Sequence, residues 1–144
     1  MGTTAIFDTS LQQAHEWLHA VGGELGTSNE RSACAVLRAA LHVIRDSLTM
    51  AQALELGDRL PVLVRGLYYE GWHLKNGLET KLTPEEAMAS ARHDMRGHNE
   101  LPSQEETLRA AFNALRRLLP QDQVQNLLQA LPVSIQRLWQ YTEQ

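Results

Sequence analysis

Apolar residues recur at spacings of three and four along most of the chain and never alternate, a pattern that predicts helices and no strands. Leu11, Ala14, Leu18, Val21 and Leu25 form one such stripe, so a first helix is expected to bury that face. Gly22-Gly23 and then Gly26-Thr27-Ser28-Asn29 break it and offer an N-cap for the next helix. The second stripe is Ala33, Leu37, Ala40, Leu41, Ile44 and Leu48. A short third helix is expected near residues 50–59, and Pro61 opens a fourth, where its missing N–H costs nothing. The segment Pro61–Trp72 is apolar on nearly every side, which predicts a central helix, with Gly66 allowing close helix packing.

The same run of helices occurs twice. Shifting the chain by 71 residues aligns Leu37–Tyr68 with Leu108–Trp139 without a gap, with twelve identities in thirty-two positions. Leu37-Arg38-Ala39-Ala40 meets Leu108-Arg109-Ala110-Ala111, and Leu60-Pro61-Val62 meets Leu131-Pro132-Val133. Repeats of this kind are units that bury their apolar faces against one another. The expected fold is therefore all-α: one domain over residues 1–144, with two tandem copies of a four-helix unit packed about a pseudo-twofold axis. The first copy covers residues 10–72, a linker covers 73–82, and the second copy covers 83–142. Thr83-Pro84-Glu85-Glu86 reads as an N-cap, a first-turn proline and two acids favoured by the helix dipole. Helices are expected near 84–97, 103–119, 121–130 and 132–142.

Composition narrows the function classes. A chain of 144 residues can bury a substantial core, and no apolar run approaches the length of a membrane span. The first residues show no secretory pattern, so a cytoplasmic location is expected. A single cysteine, Cys34, excludes an intrachain disulfide and a multi-cysteine zinc site, and its alanine-rich setting suggests a small buried thiol. The net charge of −4 argues against a nucleic-acid binder. Arg109, Arg116, Arg117 and Arg137 form a local basic group whose plainer reading is a solvated helix face.

Leu37-Arg-Ala-Ala-Leu-His-Val-Ile-Arg-Asp-Ser-Leu48, followed by Leu60-Pro-Val-Leu-Val-Arg-Gly-Leu-Tyr-Tyr-Glu-Gly-Trp72, closely resembles the bacterial family known as domain of unknown function 2267. The resemblance extends to Trp17-Leu18 and to Leu131-Pro132 in the second copy. It implies an all-helical fold and a bacterial origin, and it carries no assigned activity or site residue. His73-Leu74 stands where similar proteins tend to have Asp-Pro.

His15-Glu16-Trp17-Leu18-His19 matches the His-Glu-x-x-His pattern in which two histidines one turn apart hold zinc and the glutamate acts as general base. The third-ligand position of the extended pattern is Leu25, and a glutamate some twenty residues downstream would fall at Ala39–Ala40. His42, His73, His93 and His98 are the other histidines that folding could bring in. On a helix both His15 and His19 point away from the apolar stripe, so an exposed pair is the favoured reading and no cofactor is expected. Arg65, Tyr69, Glu70 and Trp72 are the better candidate surface, since Arg, Tyr and Trp dominate binding hot spots. The competing reading makes these aromatics core, with Arg65 paired to Glu70 or Asp46. The expected function is a non-enzymatic helical module that binds a protein or small molecule in the groove between the two copies, lined by Arg65, Tyr69, Glu70 and Trp72. A zinc-dependent hydrolase built on His15, Glu16 and His19, and a self-associating structural protein closed through an apolar face as a homodimer, are the alternatives.

Overall fold

The computed structural model describes residues 2–72 and 81–139. Among these residues eight α-helices follow one another and no strand occurs. They are α1 (Gly2–Leu25), α2 (Glu30–Asp46), α3 (Met50–Asp58), α4 (Val62–Tyr69), α5 (Pro84–Asp94), α6 (Gln104–Leu118), α7 (Gln121–Ala130) and α8 (Val133–Trp139). Residues 73–80 of the expected linker, with His73, and residues 140–142 of the expected last helix lie outside the described residues. No described helix is long and apolar enough to cross a membrane.

Local sequence accounts for the helix starts. Asn29 caps α2, its Oδ1 accepting from the N–H groups of Arg31 and Ser32 at 3.0 and 3.3 Å. Thr83 and Glu86 form a capping box ahead of α5, and Thr49 with Gln52 forms another ahead of α3. Each satisfies N–H groups that a helix start leaves unpaired.

The centre of the fold is α2. Between Val36 and Leu48 only Arg38 is not buried, and the helix packs against α1, α4, α5 and α6. This corrects the expectation that residues 61–72 form the central helix. Helix α4 buries Val64 and Tyr68 but leaves Val62 56 % and Leu63 43 % exposed. Apolarity all round misled because α2 encloses polar residues, His42, Arg45, Asp46 and Ser47, each with an internal partner. Hydrogen-bonded polar groups can occupy a core that a purely apolar pattern would not mark.

Helix α1 also departs from its predicted stripe. It runs back to Gly2, and Ile6, Phe7 and Leu11 are exposed at 72, 63 and 49 %. Trp17 and Val21 are the residues it buries, with Leu18 and Leu25 partly covered. Nothing in Thr3–Leu11 breaks a helix, so α1 continues past the neighbours that could cover it. Cys34 is partly exposed rather than enclosed.

The two helical runs are woven together. Helix α1 packs against α6, α5 packs against α2, and α2 meets α6. Helices α4 and α8 return onto α2 and α6 respectively. In the first run Tyr68 is fully buried and its hydroxyl donates to the Ala53 carbonyl at 2.6 Å. In the second, the buried rings of Phe112 and Trp139 stack with centroids 5.0 Å apart.

Between α3 and α4 the glycine that close packing requires is Gly57, not Gly66. A Cβ at Gly66 would meet open space, whereas one at Gly57 would lie 2.1 Å from the Tyr69 hydroxyl oxygen. Gly57→Ala should therefore push the Tyr69 ring off α3 and lower stability by about 1–3 kcal/mol. Gly66→Ala removes a flexible residue from a helix with room for the methyl, and should raise stability by about 0.5–1 kcal/mol. Urea unfolding of the two variants measures both, and a Gly57→Ala midpoint equal to wild type would refute the packing argument.

Candidate functional site

The end of α4 carries the candidate surface. Tyr69 and Trp72 stack with ring centroids 5.6 Å apart, and Tyr69 meets Tyr68 edge-on at 4.9 Å. Both Tyr69 and Trp72 are partly buried against the core. Arg65 pairs with neither Glu70 nor Asp46. Its Nε donates to the Gly57 carbonyl at 2.8 Å, and its Nη2 donates to Leu60 at 2.8 Å and to Asp58 at 3.4 Å. These carbonyls belong to the end of α3 and the turn after it, so the guanidinium satisfies acceptors that a helix terminus leaves open. Burial pushes the Tyr69 phenol up, and the charge of Asp58 adds to the shift while Arg65 opposes it. Glu70 turns elsewhere, accepting from Arg38 Nε at 2.9 Å. The four residues thus divide: Arg65 and Tyr69 clasp α3 to α4 with Trp72 stacked on Tyr69, and Glu70 ties α4 to α2.

Deeper, Arg45 bonds Asp46 through two nitrogens at 2.8 and 3.2 Å and donates from Nη1 to the carbonyls of Tyr68 and Glu70 at 2.7 and 2.8 Å. His42 bridges three helices, with Nδ1 2.9 Å from Asp94 Oδ2 and Nε2 2.8 Å from the Leu67 carbonyl. Burial raises the Tyr68 phenol far above its ordinary value, with neighbouring Tyr69 adding to it. Tyr68 therefore stays protonated and serves as a donor.

The histidine pair lies on the surface, with side chains 54 and 75 % exposed. Folding brings Glu30 to both: its Oε2 lies 3.2 Å from His15 Nδ1 and 3.7 Å from His19 Nε2. One carboxylate oxygen thus faces both rings at ion-pair distances. Among the described residues no group of three or more His, Cys, Asp or Glu is placed to hold a metal ion. His42 is engaged by Asp94, and His93 and His98 line a cleft beside the α5–α6 turn. Glu30 could have been foreseen, because the short turn Thr27–Asn29 makes α1 and α2 antiparallel neighbours and sets the first residue of α2 against α1.

The second-half arginines mostly have partners. Arg117 reaches Glu24 of α1 at 2.6 Å, Arg109 reaches Glu105 at 3.0 Å, and Arg116 donates to the Trp139 carbonyl. The α5–α6 cleft was missed by sequence reasoning. It encloses about 540 Å³ and is lined by Arg92, His93, Arg96, His98, Asn99 and Gln104 among others. A further cleft of about 810 Å³ lies between the end of α1 and the start of α6.

A family model described as Uncharacterized conserved protein (DUF2267) matches residues 14–138. The chain belongs to the DUF2267 family. No curated protein matches it. The DUF2267 match runs from within α1 into α8, so it takes in the clasp of α4, the His15–Glu30 cluster and the α5–α6 cleft. The exposed residues Ile6, Phe7 and Leu11 precede it.

Proposed function

We propose that this DUF2267 protein is a non-enzymatic interaction module, built from two copies of one four-helix unit, that takes a protein partner on the outward face of α4. The observation that carries the reading is the exposure of Val62 and Leu63, 56 and 43 %, on a short helix that ends in the stacked Tyr69–Trp72 pair. Open space at Gly66 and exposed Glu70 continue that face. Aromatic anchors beside exposed aliphatic residues suit the apolar side of a partner helix.

The duplication is supported by polar contacts that recur at the 71-residue offset. Arg45 donates to the Tyr68 carbonyl, and Arg116 to that of Trp139. Arg65 donates to the Leu60 carbonyl at 2.8 Å, and Gln136 to that of Leu131 at 2.9 Å. The reciprocal packing of α1 on α6 and α5 on α2 is the arrangement a pseudo-twofold axis between copies would produce.

The clasp residues are poor places to test binding, because their loss disturbs α3 and α4. A Val62→Glu/Leu63→Glu double variant changes only exposed positions and should keep the wild-type circular dichroism and melting temperature. Co-purification of the partner from the source cells, with a photo-crosslinker placed at residue 66, should be lost in that variant. An unchanged crosslinked species would overturn the α4 reading, and a crosslink to a second copy of this chain would replace the partner with a homodimer.

A further inference from the structure

The turn between α5 and α6 sorts its charges. Of the two acids here, Asp94 at the end of α5 is half-buried against α2, and Glu100 is exposed but bonded to α2 through Ser32. Asp94 Oδ2 lies 2.9 Å from His42 Nδ1, and Glu100 accepts the hydroxyl hydrogen of buried Ser32. With that hydrogen given to Glu100, the Ser32 oxygen takes the Nδ1–H of His98 at 3.1 Å. The Ser32 bond holds the Glu100 carboxyl below its usual range, and a backbone hydrogen bond and the charge of His98 add to this.

Arg92, His93 and Arg96 are exposed, and His98 is half-buried beside Ser32. Arg92, His93, Arg96 and His98 line the cleft of about 540 Å³, and no Asp or Glu lines it. Arg92 and Arg96 are one helical turn apart in sequence, and Arg92 has no ion-pair partner among the described residues. Arg96 Nη2 donates to His93 Nδ1 at 2.8 Å, which steadies the guanidinium without neutralising it. Gly97, at φ 90°, reverses the chain directly after Arg96. The carbonyls at the end of α5 already accept from Met95 and Arg96 N–H groups, so less of their negative dipole faces the cleft. Met95 and Leu101 add apolar wall, and the volume is within the range of small-molecule sites. In a chain of net charge −4 this concentration of cations does not follow from composition.

We propose that this cleft binds a small organic phosphate, the phosphoryl oxygens held by the guanidinium forks of Arg92 and Arg96 and the organic body set against Met95 and Leu101. Arginine matches phosphate with paired, charge-assisted hydrogen bonds. The residues are not those of the α4 face, so this proposal stands or falls apart from that one.

The test is a heteronuclear NMR titration of the full chain with phenyl phosphate, inorganic phosphate, and sodium chloride at matched ionic strength. Phenyl phosphate should give saturable shifts confined to residues 89–107 and bind more tightly than inorganic phosphate. Arg92→Gln and Arg96→Gln should each weaken it about tenfold, whereas Arg59→Gln, at an exposed position on another turn, should leave it unchanged. Equal affinity for the two phosphates would overturn the organic ligand. Shifts reproduced by chloride, or insensitive to Arg92 and Arg96, would overturn the site. All these arginines are exposed, so loss of fold does not confuse the result.

Discussion

Arg45→Ala should lower folding stability by about 3–5 kcal/mol, read as a large fall in the urea midpoint with an unchanged slope. The size comes from the groups the guanidinium leaves behind. Arg45 is 5 % exposed and Asp46 8 %, so truncation strands a carboxylate away from water. It also strands the carbonyls of Tyr68 and Glu70, at the C-terminal end of α4. The corresponding Arg116 has no such carboxylate beside it, since Arg117 comes next and turns to Glu24. Arg116→Ala should therefore cost only about 1–3 kcal/mol. An Arg45→Met/Asp46→Leu double variant removes the stranded charge and should recover part of the loss, because an apolar pair replaces a buried ion pair at small penalty. A single Arg45→Ala variant within about 1 kcal/mol of wild type would show that the pair is not a structural element.

The helices were legible because their signals are local. Asn29 and Thr83 can be read as caps from their residue types and from the residues just after them, and both act as caps in the structure. The stripe of α2 is buried at every position from Ala33 to Leu48. Which helix is central was not legible, because burial on the polar side of α2 depends on partners distant in sequence. His42 meets Asp94 after 52 residues, and Ser32 meets Glu100 after 68. No period in the chain reports those contacts. The exposed start of α1 has the opposite origin: its apolar residues continue to Ile6, but they stay uncovered.

The candidate surface was legible in part. Tyr69 and Trp72 are three apart on or beside one helix, and they do stack. The role of Arg65 was hidden because carbonyl acceptors leave no mark in sequence; every residue has one. The α5–α6 cleft was hidden for a different reason. Asp94-Met-Arg-Gly-His-Asn-Glu100 looks electrically mixed when read in order, and only folding ties both acids to α2 and leaves neither among the residues that line the cleft. Conversely, His15-Glu-x-x-His19 looked like chemistry in sequence, yet folding supplies one shared carboxylate oxygen at ion-pair distances.

Phe112→Ala should lower stability by about 3–5 kcal/mol and move the melting temperature down on the order of 10 °C, with the protein still unfolding in one step. Phe112 is fully buried on α6, and its ring lies at 14° to that of Trp139. Truncation opens a cavity under Trp139 and removes the contact that seats α8. The injury lies in the second run of helices, but its consequence should not stay there. Helix α1 is packed on α6, and α5 on α2, so neither run keeps its core when the other opens. Trp17 on α1 and Trp139 on α8 offer fluorescent reporters at separate places, and in a Trp72→Phe background substituting each in turn by Phe isolates the other signal. Coincident midpoints from both reporters, each displaced by the same amount in Phe112→Ala, are the expected result. Separate midpoints would mean that the two helical runs unfold independently, and that the crossed packing of α1 and α5 contributes little to holding them together.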